Sequence, residues 1–259
     1  MDSELDKPLL VERRRNILLL KINRENRLNA LNTDLYDAIY TKLVEANDNL
    51  EINAVVITGG SRSFCAGADV SEFATFNKWQ EFYRFELKAK AVYDFIENME
   101  KIVIAAVDGY VLGGGLELAL STDIVISSED TIFGFPEVHL GMIPGTGGSQ
   151  KLPRIAGKYN AKYYMMTGKF FDAERAFDLG IVSEIVQRNK LIPRTLDLLG
   201  EIFENPAQAS FNIKRAVNTG MDMPVSAALK FEQEINNSIF ESREIQEKIG
   251  KFKKKEVKR

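Results

Sequence analysis

Short apolar runs alternate with longer amphipathic stretches along most of this chain. Five runs have the length and the aliphatic content that are typical of buried strands. They are residues 16–22, 54–58, 102–107, 123–127 and 131–135. Strands separated by helical stretches favour a layered, mainly parallel sheet, so the pattern predicts an α/β fold.

The spacing of apolar residues predicts two long helices between these strands. The first covers residues 33–50, with Asn32 or Thr33 as N-cap and an apolar face of Leu35, Ile39, Leu43, Ala46 and Leu50. The second covers residues 78–99, with an apolar face of Trp79, Phe82, Phe85, Ala89, Val92, Ile96 and Met99. That stripe is typical of a core face, and it also suits the wall of a tunnel for a hydrocarbon chain.

The pattern changes at about Leu191, where strands stop and helical periodicity continues to Phe252. The change predicts a core at residues 1–190 and a helical region at residues 191–259. We expect the core to carry the ligand site and the helical region to serve packing and oligomerisation.

Composition narrows the classes of protein further. Apolar stretches reach only six to eight residues before a charge interrupts them, well short of the roughly 20 that cross a bilayer. Residues 1–15 lack the apolar segment of a secretory signal, so a cytoplasmic location is expected. The single cysteine, Cys65, excludes an internal disulfide, and with the single histidine, His139, it leaves too few ligands for a typical zinc site.

Charge is unevenly distributed along the chain. The net charge is −3, although residues 251–259 contain six basic residues and one acid, which leaves about −8 for the remainder. The basic end suits a solvated helix terminus. It also suits contact with a phosphate-bearing ligand, and it is the feature that would favour nucleic acid.

A glycine-rich stretch at residues 108–123 organises the candidate chemistry. Its glycines follow an apolar strand and begin a helix, where unpaired N–H groups can hold developing negative charge. Glu117 stands three positions after Gly114, in the first turn. Phosphate-binding motifs do not match, since the Gly145-Thr-Gly147 segment has Gln150 where the dinucleotide motif requires glycine.

Two carboxylates stand out by their position. Glu117 lies in an otherwise apolar helical turn, and Glu137 follows Pro136 directly after a strand. Each alone could be an acid that complements a helix N-terminus. Together with the glycine- and alanine-rich loops, they indicate acid–base chemistry beside N–H donors that face a developing oxyanion.

Four segments resemble landmarks of the enoyl-CoA hydratase/isomerase (crotonase) superfamily. They are Asn29–Leu31, Cys65–Asp69, Gly109–Glu117 and the segment from Phe133 to Gly148. The resemblance extends from about Leu9 to Lys255. It implies a crotonase (ClpP-like) spiral of β-β-α units with a helical C-terminal region, commonly assembled as trimers or hexamers.

The resemblance also implies a site for an acyl thioester of coenzyme A. The N–H groups of Ala68 and Gly114 would form the oxyanion hole, and Glu117 and Glu137 would be the catalytic acids. The residues implied to bind the substrate or its coenzyme A are Ala66, Leu28, Asp69, Gly145, Arg24 and Arg27. No metal and no separate cofactor are expected, because coenzyme A is part of the substrate.

Hydratases of this superfamily carry glutamates at both matching positions, so the implied reaction is reversible hydration of a trans-2-enoyl-CoA. In that reaction Glu117 would take a proton from water, and Glu137 would deliver one to the α-carbon. Another crotonase-type enzyme (a double-bond isomerase, a decarboxylase or a hydrolase) is the alternative, followed by a non-catalytic CoA- or RNA-binding relative. Phe135 stands where hydratases often have glutamine, which leaves the acyl specificity open.

Overall fold

The computed structural model describes the fold of residues 7–256, and the side chains of residues 7–243 and 245–250. The basic segment at 251–259 therefore lies outside the described side chains. The chain divides into two compact units, one extending to Leu196 and the other beginning at Asp197. The role of residues 191–259 in oligomerisation stays a prediction.

The strands, numbered in chain order, are β1 (Leu9–Arg14), β2 (Ile17–Ile22), β3 (Ala54–Thr58), β4 (Ser63–Cys65), β5 (Ile102–Val107), β6 (Tyr110–Leu112), β7 (Ile124–Ser128), β8 (Ile132–Gly134), β9 (Phe171–Asp172) and β10 (Glu184–Val186). The helices are α1 (Thr33–Asp48), α2 (Val70–Phe73), α3 (Trp79–Asn98), α4 (Gly114–Ala119), α5 (Gly148–Ala156), α6 (Lys158–Thr167), α7 (Ala173–Asp178), α8 (Leu191–Phe203), α9 (Ala207–Met221), α10 (Val225–Phe240) and α11 (Arg243–Glu256). The predicted α/β class is confirmed.

The larger sheet is the core of the first unit. Within the described chain its order is β1-β2-β3-β5-β7-β10, and every neighbouring pair is parallel except β1 with β2. All five residues of β3 are buried, which explains why this strand is an unbroken run of apolar residues closed by one threonine. The five predicted strand runs all form strands, four of them in this sheet.

The smaller sheet has the order β4-β6-β8-β9, and β4, β6 and β8 run parallel. Parallel neighbours end at the same edge of a sheet, so the loops that follow them lie side by side. Those loops contain Ala68 after β4, Gly114 after β6 and Glu137 after β8. This sheet therefore brings together residues that are far apart in sequence.

Helices α1 and α3 form within the predicted limits. The Asn32 side chain caps α1 by accepting a hydrogen bond of 3.1 Å from Leu35 N. The prediction was wrong for Leu50, which lies beyond the end of α1 and is 92% exposed. On α3 most of the apolar stripe is buried, but Trp79 is 70% exposed because it lies at the first turn.

Several elements were not predicted. The three-residue strands β4, β6 and β10 are too short to show an alternating pattern. Helices α5 and α6 follow the glycine-rich segment at 136–148, which contains a 3-10 helix at Pro136–Leu140. The second unit is helical, as predicted, and α9 and α10 begin after Pro206 and Pro224. No helix in the described part of the chain is long and apolar enough to cross a membrane.

Candidate active site

A cavity of about 320 Å³ opens at the shared edge of β4, β6 and β8. The predicted site residues that line this cavity are Ala66, Ala68, Gly114, Glu117, Glu137 and Gly145. Aromatic side chains form much of the remaining wall, among them Phe73, Phe82 and Phe85. The stripe on α3 therefore contributes to the core and to the cavity wall, since Phe85 is buried in the core and also faces the cavity. Its role as the wall of a hydrocarbon tunnel stays a prediction.

The two predicted oxyanion donors are neighbours at the cavity wall. Leu31 N donates to Gly67 O and Asp69 N donates to Leu31 O, both at 2.8 Å, which turns the intervening Ala68 N–H away from that pairing. Gly114 is the first residue of α4, so its N–H has no acceptor within the helix. Among the described residues neither N–H has a hydrogen-bond acceptor, and both are available to a ligand oxygen.

Glycine is required where these loops approach each other. A Cβ at Gly114 would lie 3.5 Å from Ala68 N, which shows how close the two donors are. Gly113 has a φ of +49°, and a Cβ there would lie 2.8 Å from Glu137 Oε1. Gly113 therefore leaves room for the Glu137 carboxyl beside the two N–H groups.

Glu117 is held in place by hydrogen bonds from the glycine-rich segment at 136–148. It is 3% exposed, and its Oε1 accepts hydrogen bonds from Thr146 N at 2.9 Å and Gly148 N at 2.8 Å. Its Oε2 accepts a further hydrogen bond from the Thr146 hydroxyl. Because an ionised carboxylate only accepts hydrogen bonds, three donors suit Glu117 as a base.

Glu137 has the opposite surroundings. Its Oε2 is buried and has no hydrogen-bond partner among the described residues. Burial raises the pKa of Glu137 to about 7; its own backbone N–H opposes this shift and the Glu117 charge adds to it. Glu137 can therefore hold a proton near neutral pH, as a general acid must.

A third carboxylate, Glu86, was not predicted. It lines the cavity from α3, and a Cβ at Gly145 would lie 2.7 Å from its Oε1. Burial, followed by the Glu117 charge, raises the pKa of Glu86. Phe82 and Glu86 are four positions apart and therefore lie on one helix face. This spacing was the sequence signal from which a cavity-lining Glu86 could have been predicted.

Three of the remaining predicted binding residues, Arg24, Leu28 and Asp69, form contacts between two loops. Arg24 Nη2 lies 2.9 Å from Asp69 Oδ2, and Arg24 also donates to Ala30 O. Leu28 O accepts a hydrogen bond of 3.0 Å from Ala66 N. Arg27 is exposed. These contacts fix the loop that presents Ala68, and coenzyme A binding by Arg24, Arg27, Leu28 and Asp69 stays a prediction.

Phe135 is fully buried and is not among the described residues that line the cavity. A Cβ at Gly148 would lie 2.6 Å from its Cε1, so the ring packs directly behind the residue that donates to Glu117. Phe135 therefore supports Gly148, and through it Glu117, from the side facing away from the cavity.

Cys65 is fully buried, and burial raises the pKa of its thiol to about 12. A neutral, inaccessible thiol is a packing group and a poor nucleophile. Among the described side chains, at 7–243 and 245–250, no group of three or more His, Cys, Asp or Glu could hold a metal ion.

Two backbone N–H groups that face one cavity together with two glutamates, on a fold of this topology, define a class of protein. The family model for enoyl-CoA hydratase/isomerase matches residues 12–258, and the chain belongs to that family. The resemblance seen in the four sequence segments is thus confirmed.

Individual relatives match over nearly the whole chain. The chain is 36% identical to a short-chain-enoyl-CoA hydratase of Clostridium acetobutylicum, with 94% of each chain covered. It is also 36% identical to a crotonyl-CoA hydratase of Syntrophomonas wolfei, with 95% of each covered.

Solved structures agree with the fold. The enoyl-CoA hydratase of Bacillus anthracis matches with a TM-score of 0.91 at 29% identity, covering 96% of this chain and 97% of that one. A structure from Geobacillus kaustophilus matches with a TM-score of 0.91 at 32% identity, covering 96% of each. The predicted crotonase fold with a helical C-terminal region is confirmed.

Proposed function

We propose that this protein is an enoyl-CoA hydratase that adds water reversibly to a short trans-2-enoyl-CoA. The observation that carries the proposal is the contrast between two carboxylates: Glu117 accepts three hydrogen bonds, whereas the buried Oε2 of Glu137 has no partner among the described residues. Hydration requires one base and one acid on the same substrate, and this pair supplies both. The named hydratase relatives add support.

The reaction begins when the thioester oxygen accepts hydrogen bonds from the N–H groups of Ala68 and Gly114. This polarisation makes the β-carbon electrophilic and stabilises the enolate that forms when water attacks. Glu117 takes a proton from the water, and Glu137 gives its proton to the α-carbon. The same groups exchange roles on dehydration. Coenzyme A enters as part of the substrate, and the proposal includes no other cofactor and no metal.

Chain length follows from the size of the cavity. A volume of about 320 Å³ is at the small end of the range for ligand pockets, and aromatic rings close its wall. We therefore infer a short acyl group, such as the four-carbon crotonyl group. A homotrimer or homohexamer completes the proposal on the strength of the family resemblance, together with the cytoplasmic location predicted from the sequence.

Loss of the enoyl absorbance of crotonyl-CoA in the presence of purified protein tests the proposal. We expect formation of 3-hydroxybutyryl-CoA and slower turnover with longer enoyl chains. Absence of hydration with both short and long enoyl-CoAs would overturn the hydratase assignment. Conversion to a 3-enoyl product, or release of free coenzyme A, would instead identify an isomerase or a hydrolase.

A further inference from the structure

Two buried tyrosines connect helices α1 and α3 to the oxyanion hole. Tyr36 and Tyr93 are each 1% exposed. Their hydroxyl oxygens lie 3.0 Å apart, and the Tyr93 hydroxyl donates to Gly114 O at 2.8 Å. Neither hydroxyl has another hydrogen bond among the described residues.

The direction of this chain of hydrogen bonds follows from the groups themselves. The Gly114 carbonyl can only accept, so Tyr93 uses its proton there. The Tyr93 oxygen then accepts from Tyr36. Burial raises the pKa of both hydroxyls well above their usual range, which keeps both protons in place at any working pH. Successive donors polarise one another, and each bond is strengthened.

Gly114 needs such support because it is the middle of three consecutive glycines, which is the least restrained kind of backbone. Its N–H must nevertheless keep a fixed position relative to Ala68 N. A Cβ at Gly114 would lie 3.5 Å from Ala68 N and 3.5 Å from the Tyr36 hydroxyl, so the tyrosine is at the hole itself.

Helix α1 contacts both halves of the hole. Leu31, just before the helix, pairs with the backbone on either side of Ala68, and Tyr36 in its first turn reaches Gly114 through Tyr93. Leu31 and Tyr36 are both fully buried in the core. The start of α1 thus sets the separation of the two donors.

We propose that Tyr36 and Tyr93 are positioning residues, a tyrosine relay that holds the Gly114 N–H where the thioester oxygen binds. The proposal rests on the proposed function for the reaction that the tyrosines support. Their effect on the position of Gly114 rests on the hydrogen bonds alone. It makes the aromatic pair part of the polarising machinery rather than inert core.

The test uses infrared spectroscopy of butyryl-CoA labelled with ¹³C at the thioester carbonyl, bound to the full-length protein. Butyryl-CoA cannot be hydrated, so the frequency of its carbonyl reports polarisation alone. The variants are Tyr93→Phe, Tyr36→Phe and the double variant. The matched control is Tyr164→Phe, which also removes the hydroxyl of a largely buried tyrosine. That hydroxyl accepts a hydrogen bond of 3.1 Å from Arg175 Nε, and Tyr164 does not line the cavity.

We expect the wild-type protein and Tyr164→Phe to lower the carbonyl frequency equally, and Tyr93→Phe to lower it clearly less. Hydration kcat should fall about tenfold in Tyr93→Phe and about threefold in Tyr36→Phe, the effects of one lost neutral hydrogen bond. KM should change less, because polarisation strengthens in the transition state. The double variant should resemble Tyr93→Phe, since the relay passes through Tyr93.

An unchanged carbonyl frequency and kcat in folded Tyr93→Phe would overturn the relay, as would an equal loss in Tyr164→Phe. If Tyr93→Phe does not fold, Tyr36→Phe decides by the same two measurements. A wild-type protein that shifts the carbonyl but hydrates nothing refutes the hydratase and leaves the relay to be judged by the shift. A wild-type protein that binds butyryl-CoA without a shift refutes the relay and the oxyanion hole together.

Discussion

Glu117 and Glu137 face one cavity from opposite kinds of surroundings. The segment at 136–148 surrounds Glu117 with three donors, whereas the loop after β8 leaves Glu137 half-buried, with a buried Oε2 that has no partner among the described residues. Two identical side chains thereby acquire a base's environment and an acid's environment. The lesson is that the assignment of roles comes from the loops around the carboxylates and not from the carboxylates themselves.

The largest expected effect is the loss of either carboxylate. Glu117→Gln and Glu137→Gln should each lower kcat for crotonyl-CoA hydration about 10²–10⁴-fold, the usual contribution of a general acid or base. Circular dichroism should show an intact fold, because glutamine fills the same space. Near-normal hydration by both variants would refute the assigned mechanism.

The pH dependence of kcat/KM tests the role of Glu137 without a substitution. Since the pKa of Glu137 is about 7, the singly protonated pair disappears as pH rises through 7, and kcat/KM should then fall tenfold per pH unit. Hydration consumes no net proton, so dehydration of 3-hydroxybutyryl-CoA should show the same pKa. Steady-state rates between pH 5 and 9, in both directions of the reaction, measure this fall. A flat profile up to pH 9 would contradict the proton-holding role.

Thr146→Val removes one donor from the base. Because the Thr146 hydroxyl binds Glu117 Oε2 while its N–H binds Oε1, the variant should keep the loop but free one carboxylate oxygen. We expect about a tenfold lower kcat, from one charge-assisted hydrogen bond. Thr122→Val is the control, since its hydroxyl binds Ala119 O away from the cavity. Equal losses in the two variants would argue against a specific role.

Glu137 should lower the free energy of unfolding at high pH. The pKa of Glu137 in the folded protein lies above the ordinary glutamate value of 4.5, so the native state binds the proton more tightly and stability declines as pH rises from about 4.5 to 7. Glu137→Gln removes this penalty and should raise the free energy of unfolding at pH 8 by about 2 kcal/mol, with little change at pH 4. Glu117→Gln should bring no such gain. Thermal unfolding at the two pH values measures the difference.

The smallest effect is expected at Glu86. Its carboxyl stands in the cavity wall near two other acids, so an acyl group with a terminal carboxylate should be repelled. Glu86→Gln should raise binding of glutaryl-CoA relative to butyryl-CoA by about fivefold, the effect of one partly screened charge. Calorimetry measures both affinities. An unchanged ratio would show that Glu86 does not set charge selectivity.

Local patterns were sufficient for the long elements of the larger sheet and for α1 and α3. They also placed Glu117 and Glu137, because the family resemblance assigns residues by motif. Patterns could not reveal that Thr146, 29 positions away, donates to Glu117, since that contact depends on how the smaller sheet aligns its loops. Tyr36 and Tyr93 were hidden for another reason. A buried tyrosine at helical spacing has the same signature whether its hydroxyl is structural or supports a site.

The smaller sheet places the two N–H donors and Glu137 at the ends of different strands. Strands β4 and β6 deliver the two N–H donors, while β8 independently delivers residue 137. In the proposed mechanism, a substitution at the end of β8 therefore changes the proton donor while the two N–H groups that bind the carbonyl stay in place. In evolutionary terms, the loop after β8 is the part of this site that can be replaced, so that a new activity requires one loop to change rather than a new fold.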